Sequence, residues 1–462
     1  MRSILPQMSA VRKLWPEADP TEGAYRPTLY SLCVPCEDGV LLYHTLTGEL
    51  LHLSAEEAGQ KESDGRLRAE LTKKHFLVRE DFDEYSVSRQ IRRIAEMMTP
   101  PEKRIKSFTV FTTTDCNARC PYCYELGRPR RPMSEQTAHD AADYIVRAGE
   151  GKMVTLQWFG GEPLYNPGAI GIITGELCAR GVPFRSVMVT NGYLFDAQTV
   201  QKAKRDWALE RVQITLDGTE EQYNKIKRFL HAEGSAYRRV LENIGLLLDA
   251  DIKVSIRMNA SRDNMEDLCR LTDELAERFR GQKKISLYSV LLRDFTEDGT
   301  HPETEAEALA MWDALQSRIL SSRLGGLKPL PRKMQTNGCM ADSDGSVTIL
   351  PDGRLGKCEH ESEQLLVGSI YEGVTDTECA ARWKARVEVP QCRTCVLSPM
   401  CIRLRLCAWT GDRCTDGDRA RMRIILKQMI LYENYRASLF GESKGEETDE
   451  TETDADFSGF GR

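Results

Sequence analysis

The sequence predicts an α/β fold, a parallel sheet curved into a partial (β/α)6 barrel of the TIM type, with a smaller unit before it and a cysteine-rich unit after it. Six strand-then-helix pairs run in succession from Ser107 to Ser321, and their strands are mainly apolar, which implies cover on both faces. The flanking stretches lack this alternation. A chain of 462 residues is long enough for two or three such units.

Taken in order, Tyr30 to Pro35, Val40 to Thr45 and Glu49 to Leu53 read as a three-stranded meander with Gly-containing turns between the strands. Ser54 can cap a helix beginning Ala-Glu-Glu, and helical patterns follow from Asp64 to Lys74 and from Glu84 to Met98. Residues 1–98 therefore form a β3α3 unit, and 99–325 form the barrel. The barrel strands are expected at Ser107 to Thr114, Val154 to Phe159, Pro183 to Val189, Arg211 to Leu216, Ile252 to Asn259 and Ile285 to Leu292. An eight-fold barrel needs two more pairs than the sequence supplies. Residues 326–440 carry short turns and clustered cysteines before a helix from about Asp418 to Leu439, a region that metal centres would organise.

Hydrophobic residues make up 41% and charged residues 29%, a globular composition, and no apolar run is long enough to span a bilayer, so no membrane partner is expected. The N-terminus lacks a secretory pattern, which predicts a cytoplasmic, reducing location. Most of the net charge of −7 sits in residues 441–462, where eight acidic and two basic residues have the composition of a disordered tail. The remaining body is near neutral, so no nucleic-acid partner is expected. Fifteen cysteines in a reducing compartment point to metal or cluster ligation rather than disulfides.

Cys116, Cys120 and Cys123 follow the first barrel strand with C-x3-C-x2-C spacing, at the sheet end where barrel active sites assemble. Three thiolates hold a four-iron cubane by three corners and leave one iron open, although spacing alone also fits a zinc knuckle or an electron-transfer cluster. Gly160 and Gly161 permit a close backbone approach, Glu162 offers an acceptor for an ammonium group, and Arg257 offers a fork for a carboxylate.

With Tyr122 between the second and third cysteines, the sequence resembles the radical S-adenosylmethionine (SAM) superfamily from about Ser107 to Leu292. The resemblance implies a catalytic [4Fe-4S] cluster and S-adenosylmethionine as cofactors. It places Tyr122 against the adenine, Gly160-Gly161-Glu162 at the methionine amino group, and Thr190 and Asn191 at the end of the third strand. Asp217 ends the fourth strand, and Arg257 with Asn259 ends the fifth, where the family contacts ribose and carboxylate. An external reductant such as ferredoxin or flavodoxin would deliver the electron.

Cys339, Cys358, Cys392, Cys395, Cys401, Cys407 and Cys414 occur in an order that resembles the SPASM extension, which carries two auxiliary [4Fe-4S] clusters. By resemblance, Cys392, Cys395, Cys401 and Cys414 hold the outer cluster and Cys339, Cys358 and Cys407 the inner one. The five residues between Cys401 and Cys407 depart from the family's three. The inner set lacks a fourth thiolate, which Cys379 could supply, or its iron stays open to a substrate thiolate. Glu359 stands where sulfatase-maturing relatives carry an Asp that acts as a base, and is the candidate catalytic residue.

Four cysteines fall outside these sets. Cys33 and Cys36 are expected on opposite faces of a strand, in core packing rather than ligation, and Cys178 and Cys269 as buried hydrophobes on helices. Arg128, Arg130 and Arg131 read as a solvated loop or as steering for an acidic peptide. The first 98 residues resemble the winged-helix leader-recognition domains of ribosomal-peptide maturases. That resemblance implies a precursor peptide with a leader as partner and a thioether or carbon-carbon cross-link as product. Formylglycine formation, or a non-catalytic iron-sulfur or zinc module, are the rival expectations.

Overall fold

The computed structural model describes residues 1–8, 11, 15, 24–60, 63–292, 306–326, 329–334, 336, 339–360, 365–385, 388–401 and 414–440. These gather into two compact units. One comprises Met1–Pro100, Leu327–Gly338 and the chain from Arg386 through the last helix; the other comprises Pro101–Gly326 and Cys339–Ala385. The cysteine-rich stretch thus contributes to both units. The acidic tail lies outside the described residues.

The first unit contains strands β1 (Arg2–Leu5), β2 (Tyr25–Pro27), β3 (Ser31–Cys36), β4 (Gly39–His44) and β5 (Leu50–Ser54), helices α1 (Ala55–Gln60) and α2 (Gly65–Lys73), strand β6 (Leu77–Arg79) and helix α3 (Glu84–Met98). The expected meander is β3 to β5, joined by β1 in an antiparallel sheet of order β1-β5-β4-β3. Four residues are too few to show a strand period, so β1 is invisible in sequence. Ser54 caps α1 as expected, its hydroxyl accepting from Glu57 N–H while the Glu57 carboxylate accepts from Ser54 N–H.

Alternation along the strands divides two cores. Val34, Leu41, Tyr43 and Leu50 pack with Leu330, Val396, Leu397, Leu426 and Ile430, the last two on the helix Asp416–Phe440. Leu51 and Leu53 pack instead on Leu67 and Leu71 of α2 and on Phe76. Residues after Arg386 therefore complete the core of the N-terminal strands.

In the second unit six parallel strands follow in order: β7 (Ser107–Thr113), β8 (Val154–Gly160), β9 (Phe184–Thr190), β10 (Leu209–Thr215), β11 (Lys253–Ala260) and β12 (Ile285–Leu291). The helices are α4 (Glu135–Ala148), α5 (Pro167–Ala179), α6 (Ala197–Arg205), α7 (Glu220–Lys227), α8 (Ala236–Asp249), α9 (Met265–Arg278) and α10 (Ala306–Ser321). This is the expected succession of six pairs, with one added helix, α7. Buried Phe108, Val110, Leu156, Trp158, Val187, Val212, Ile214, Val254, Ile256 and Leu287 fill the sheet's faces.

Beyond β7 the sheet continues where the sequence showed only turns. Strand β13 (Ser346–Ile349) pairs parallel with β7, Val347 opposite Phe108, and β14 (Arg354–Gly356), β15 (Gly368–Ser369) and β16 (Gly373–Val374) extend it antiparallel. Helix α11 (Thr377–Arg382) follows. Among the described residues, no helix is long and apolar enough to cross a membrane.

Candidate active site

Where β7 ends, two side chains turn the chain out of the sheet. Thr113 Oγ1 accepts from Asp115 N–H at 2.9 Å, and Asp115 Oδ1 accepts from Cys116 N–H at 2.8 Å. The end of β8 docks on this turn, Gly161 N–H donating to Thr113 O at 3.0 Å and Glu162 N–H to Asp115 O at 2.9 Å. A Cβ at Gly160 would lie 2.0 Å from Thr113 O, and one at Gly161 2.2 Å from Asp115 O. What approaches Gly160 most closely is the end of β7, and what approaches Gly161 is the start of the cysteine loop.

Cys116, Cys120 and Cys123 are half-buried free thiols on that one loop. Ala118 N–H points at Cys116 Sγ from 3.3 Å, and turns from Cys123 N–H to Cys120 O and from Leu126 N–H to Cys123 O hold the remainder. Burial pushes the Cys116 thiol up to about 12, with Glu162, Cys120 and Cys123 adding to the rise; burial also raises Cys123. The raised Cys116 and Cys123 thiols hold their protons in the absence of a cation, so a metal centre must displace those protons to bind. Asn117 Nδ2 and both carboxylate oxygens of Glu125 are buried with no hydrogen-bond partner among the described residues. Three thiols beside unsatisfied polar atoms fit a bound iron-sulfur cluster and its ligand.

Glu162 is wholly buried and ties the end of the second strand to the end of the third. It accepts from Leu164 N–H at 3.1 Å, Thr190 Oγ1 at 2.8 Å and Asn191 N–H at 2.8 Å. Burial raises its carboxyl to about 7 even though these donors act to lower it. Asn191 Nδ2 donates to Asn117 Oδ1 at 2.7 Å, which brings the third strand end onto the cysteine loop. Gly160, Gly161, Glu162, Thr190 and Asn191 thus form one bonded group beneath the thiols.

A second group surrounds Asp217, whose carboxylate is fully buried and engaged on both oxygens. Oδ1 accepts from Asn259 N–H at 3.2 Å, while Oδ2 meets the Tyr122 hydroxyl and lies 2.8 Å from Lys227 Nζ. Arg257 donates from Nε to Asn259 Oδ1 at 2.9 Å. Lys227 is not among the residues expected from sequence, since the stretch between the fourth strand and α8 carries no expected helix. Thr219 followed by Glu220 and Glu221, a helix-start signature, was the available signal. Burial opposes the Lys227 charge, yet Asp217, Tyr122, Cys120 and Tyr223 hold its pKa well above the ordinary range.

Of the inner auxiliary set, Cys339 and Cys358 are buried in one small core with Ala341 and Trp383. Cys379 is buried on α11, its N–H capped by Asp376 at 2.8 Å. The rings of Tyr124 and His360 lie 4.2 Å apart, so the segment after Cys358 abuts the segment after Cys123. Arg128 caps Tyr124 from 5.4 Å, whereas Arg130 and Arg131 pair with Asp115 and Asp352.

The outer set, Cys392, Cys395, Cys401 and Cys414, is half-buried in the first unit, and burial raises the Cys392 thiol, with Cys414 and Cys395 adding to the rise. Cys407 lies outside the described residues. Cys33 and Cys36 fall on opposite faces of β3, but Cys33 is exposed rather than packed in the core, and Cys178 on α5 is exposed rather than buried; Cys36 and His52 both meet Asp38 Oδ1 at an exposed turn.

A cysteine triad on the first loop of a six-strand parallel sheet, bonded to the ends of the second and third strands, defines the class. Residues 110–275 match the model of the radical SAM superfamily. An uncharacterized protein of Methanocaldococcus jannaschii is 29% identical over 120 residues, 25% of this chain and 40% of its own. A probable GTP 3',8-cyclase of Methanococcus maripaludis is 30% identical over 126 residues, 27% of this chain and 41% of its own. The matched segment thus spans about two-fifths of these relatives.

Among solved structures, anSMEcpe with bound AdoMet shares the fold with a TM-score of 0.54 at 13% identity, over 74% of this chain and 98% of that one. The same protein with AdoMet and a Cp18Cys peptide gives 0.52 at 13% identity over 74% and 99%. SuiB of Streptococcus suis gives 0.50 at 14% identity over 81% and 94%.

Proposed function

We propose that this protein is a radical SAM peptide maturase that installs a cross-link, a thioether in preference to a carbon-carbon bond, in a ribosomally made precursor peptide. The carrying observation is the cysteine triad of a radical SAM domain hydrogen-bonded through Asp115 and Asn117 to the Gly160-Gly161-Glu162 and Thr190-Asn191 strand ends. Cys116, Cys120 and Cys123 would hold the catalytic [4Fe-4S] cluster. When bound, it supplies the electron for reductive cleavage of S-adenosylmethionine, the source of a hydrogen-abstracting radical. Tyr122, Glu162, Asn191, Arg257 and Asn259 would orient that cofactor, and ferredoxin or flavodoxin would reduce the cluster in the cytoplasm.

Two auxiliary [4Fe-4S] clusters complete the reading. Cys392, Cys395, Cys401 and Cys414 would hold the outer one, and Cys339, Cys358 and Cys407, with Cys379 or a substrate thiolate, the inner one. Contact between the Cys358 and Cys123 segments supports an inner cluster near the radical site. Strand β3, unpaired on one side among the described strands, is suited to take up a leader by strand addition. Peptide-bound anSMEcpe, which shares this fold, supports a peptide substrate.

The test is anaerobic reconstitution followed by assay with a short Cys-containing precursor peptide, sought among the open reading frames beside the gene. Released 5'-deoxyadenosine and a peptide lighter by two hydrogens are expected, both lost in Cys116→Ala. Stoichiometric zinc in place of iron, with no 5'-deoxyadenosine, would sink the reading in favour of a zinc module. The second reading is formylglycine formation, favoured by Glu359 directly after Cys358, in the segment whose His360 ring lies against Tyr124. Under it, a core peptide without its leader would be oxidised as well as the full precursor.

A further inference from the structure

One buried cation stands against the cysteine loop, and the sequence reading assigned it no role. Lys227 is the last residue of α7 and is only 3% exposed. Its Nζ lies 2.8 Å from Asp217 Oδ2 and donates to the Tyr122 hydroxyl at 3.0 Å. Its own carbonyl accepts from Arg119 N–H at 2.9 Å and lies 4.0 Å from Cys120 Sγ. The chain then turns through Arg228, in left-handed backbone at φ 48°, so that Leu230 N–H donates to Asn117 O at 2.7 Å. Residues 227–230 therefore bind the cysteine loop at Asn117, Arg119 and Tyr122.

A lysine in such a place needs a reason, because burying an ammonium costs several kcal/mol unless it is paired and hydrogen-bonded. Asp217 supplies the pairing, but Asp217 is itself fully buried and held by Asn259 N–H and the Tyr122 hydroxyl. A neutral pair of apolar residues would stabilise the fold as well. What the ion pair adds is a fixed position for a hydroxyl. The Tyr122 ring sits 5.7 Å from the ammonium, and its tip is clamped between Lys227 and Asp217. Tyr122 lies between two cluster cysteines, so the clamp fixes the loop from Cys120 to Cys123.

We propose that Lys227 is a positioning residue for S-adenosylmethionine: through Tyr122 and Asp217 it fixes the wall of the cofactor site formed by the loop from Cys120 to Cys123. The proposal rests on the radical SAM reading above. It acts through Tyr122 and does not require Lys227 to touch the cofactor.

The experiment uses the full-length, anaerobically reconstituted protein and S-adenosylmethionine itself as the probe. Binding is measured by titration, and the change in the electron paramagnetic resonance spectrum of the reduced catalytic cluster on adding the cofactor is recorded. Lys227→Met is expected to load iron like the wild type, to bind the cofactor about tenfold more weakly, and to lose the wild-type spectral change. Lys227→Arg, which keeps the charge, should recover part of both. Tyr122→Phe removes only the clamped hydroxyl and should weaken binding similarly, with little further loss in the double variant, since the two residues act as one unit.

If Lys227→Met fails to fold or load iron, Tyr122→Phe carries the test alone. Wild-type affinity and spectrum in Tyr122→Phe, or additive losses in the double variant, would overturn the proposal. A wild-type protein that loads no cluster would instead overturn the radical SAM reading, and the proposal with it.

Discussion

At the residue scale, the glycines ending β8 carry a sharp prediction. Gly161→Ala places a methyl group 2.2 Å from the backbone oxygen of Asp115, which cannot swing aside as a side chain would. A loss of about 1–3 kcal/mol is expected, read as a lower denaturant midpoint, together with weaker cluster loading because Asp115 orients Cys116. His44 carries a pH prediction. It is wholly buried, with Nδ1 accepting from Leu46 and Thr47 N–H, and burial holds its pKa down at about 3. The unfolded state then binds more protons than the folded one between the unfolded value near 6.5 and about 3. Stability is therefore full above the unfolded value and falls with pH across that window, by at most about 1.4 kcal/mol per pH unit. His44→Asn, which keeps an acceptor at the turn, should flatten the acid limb of the first unit's unfolding curve.

At the element scale, long periodic segments were legible and short ones were not. Helix α3 has the bounds expected, Glu84–Met98, and the six barrel strands fall within a few residues of their expected positions. Strands β13 to β16 span two to four residues each, and their order depends on β7 offering a free edge, which no local pattern records. Their effect is to bring Cys339 and Cys358 into one core and the segment after Cys358 against Tyr124. Cys358→Ala should accordingly lower the iron content of the reconstituted protein by about four atoms per chain, the content of one cubane. Cofactor cleavage at Cys116, Cys120 and Cys123 should persist.

At the scale of the whole molecule, the division into two units changes how the N-terminal region should be probed. Val34, Leu41, Tyr43 and Leu50 share a core with Val396, Leu397, Leu426 and Ile430. Removing residues 1–98 would strip the partners from that apolar surface, and an aggregating product is expected by size-exclusion chromatography. Leader dependence is better tested by omitting the leader from the peptide than by truncating the protein.

The sequence by itself determined the alternation of strands and helices, the superfamily of the barrel and the three cysteines on its first loop, because periodicity and ligand spacing are local properties. Tertiary structure decided that Asp217 is engaged by Lys227, Tyr122 and Asn259, residues 10, 95 and 42 positions away in the chain, and that the glycines of β8 receive the cysteine loop. It also decided that the later cysteines are divided between two units. These facts depend on which distant segments exclude water together. A buried charge such as Lys227 looks the same in sequence as a solvated one until its partner is in place.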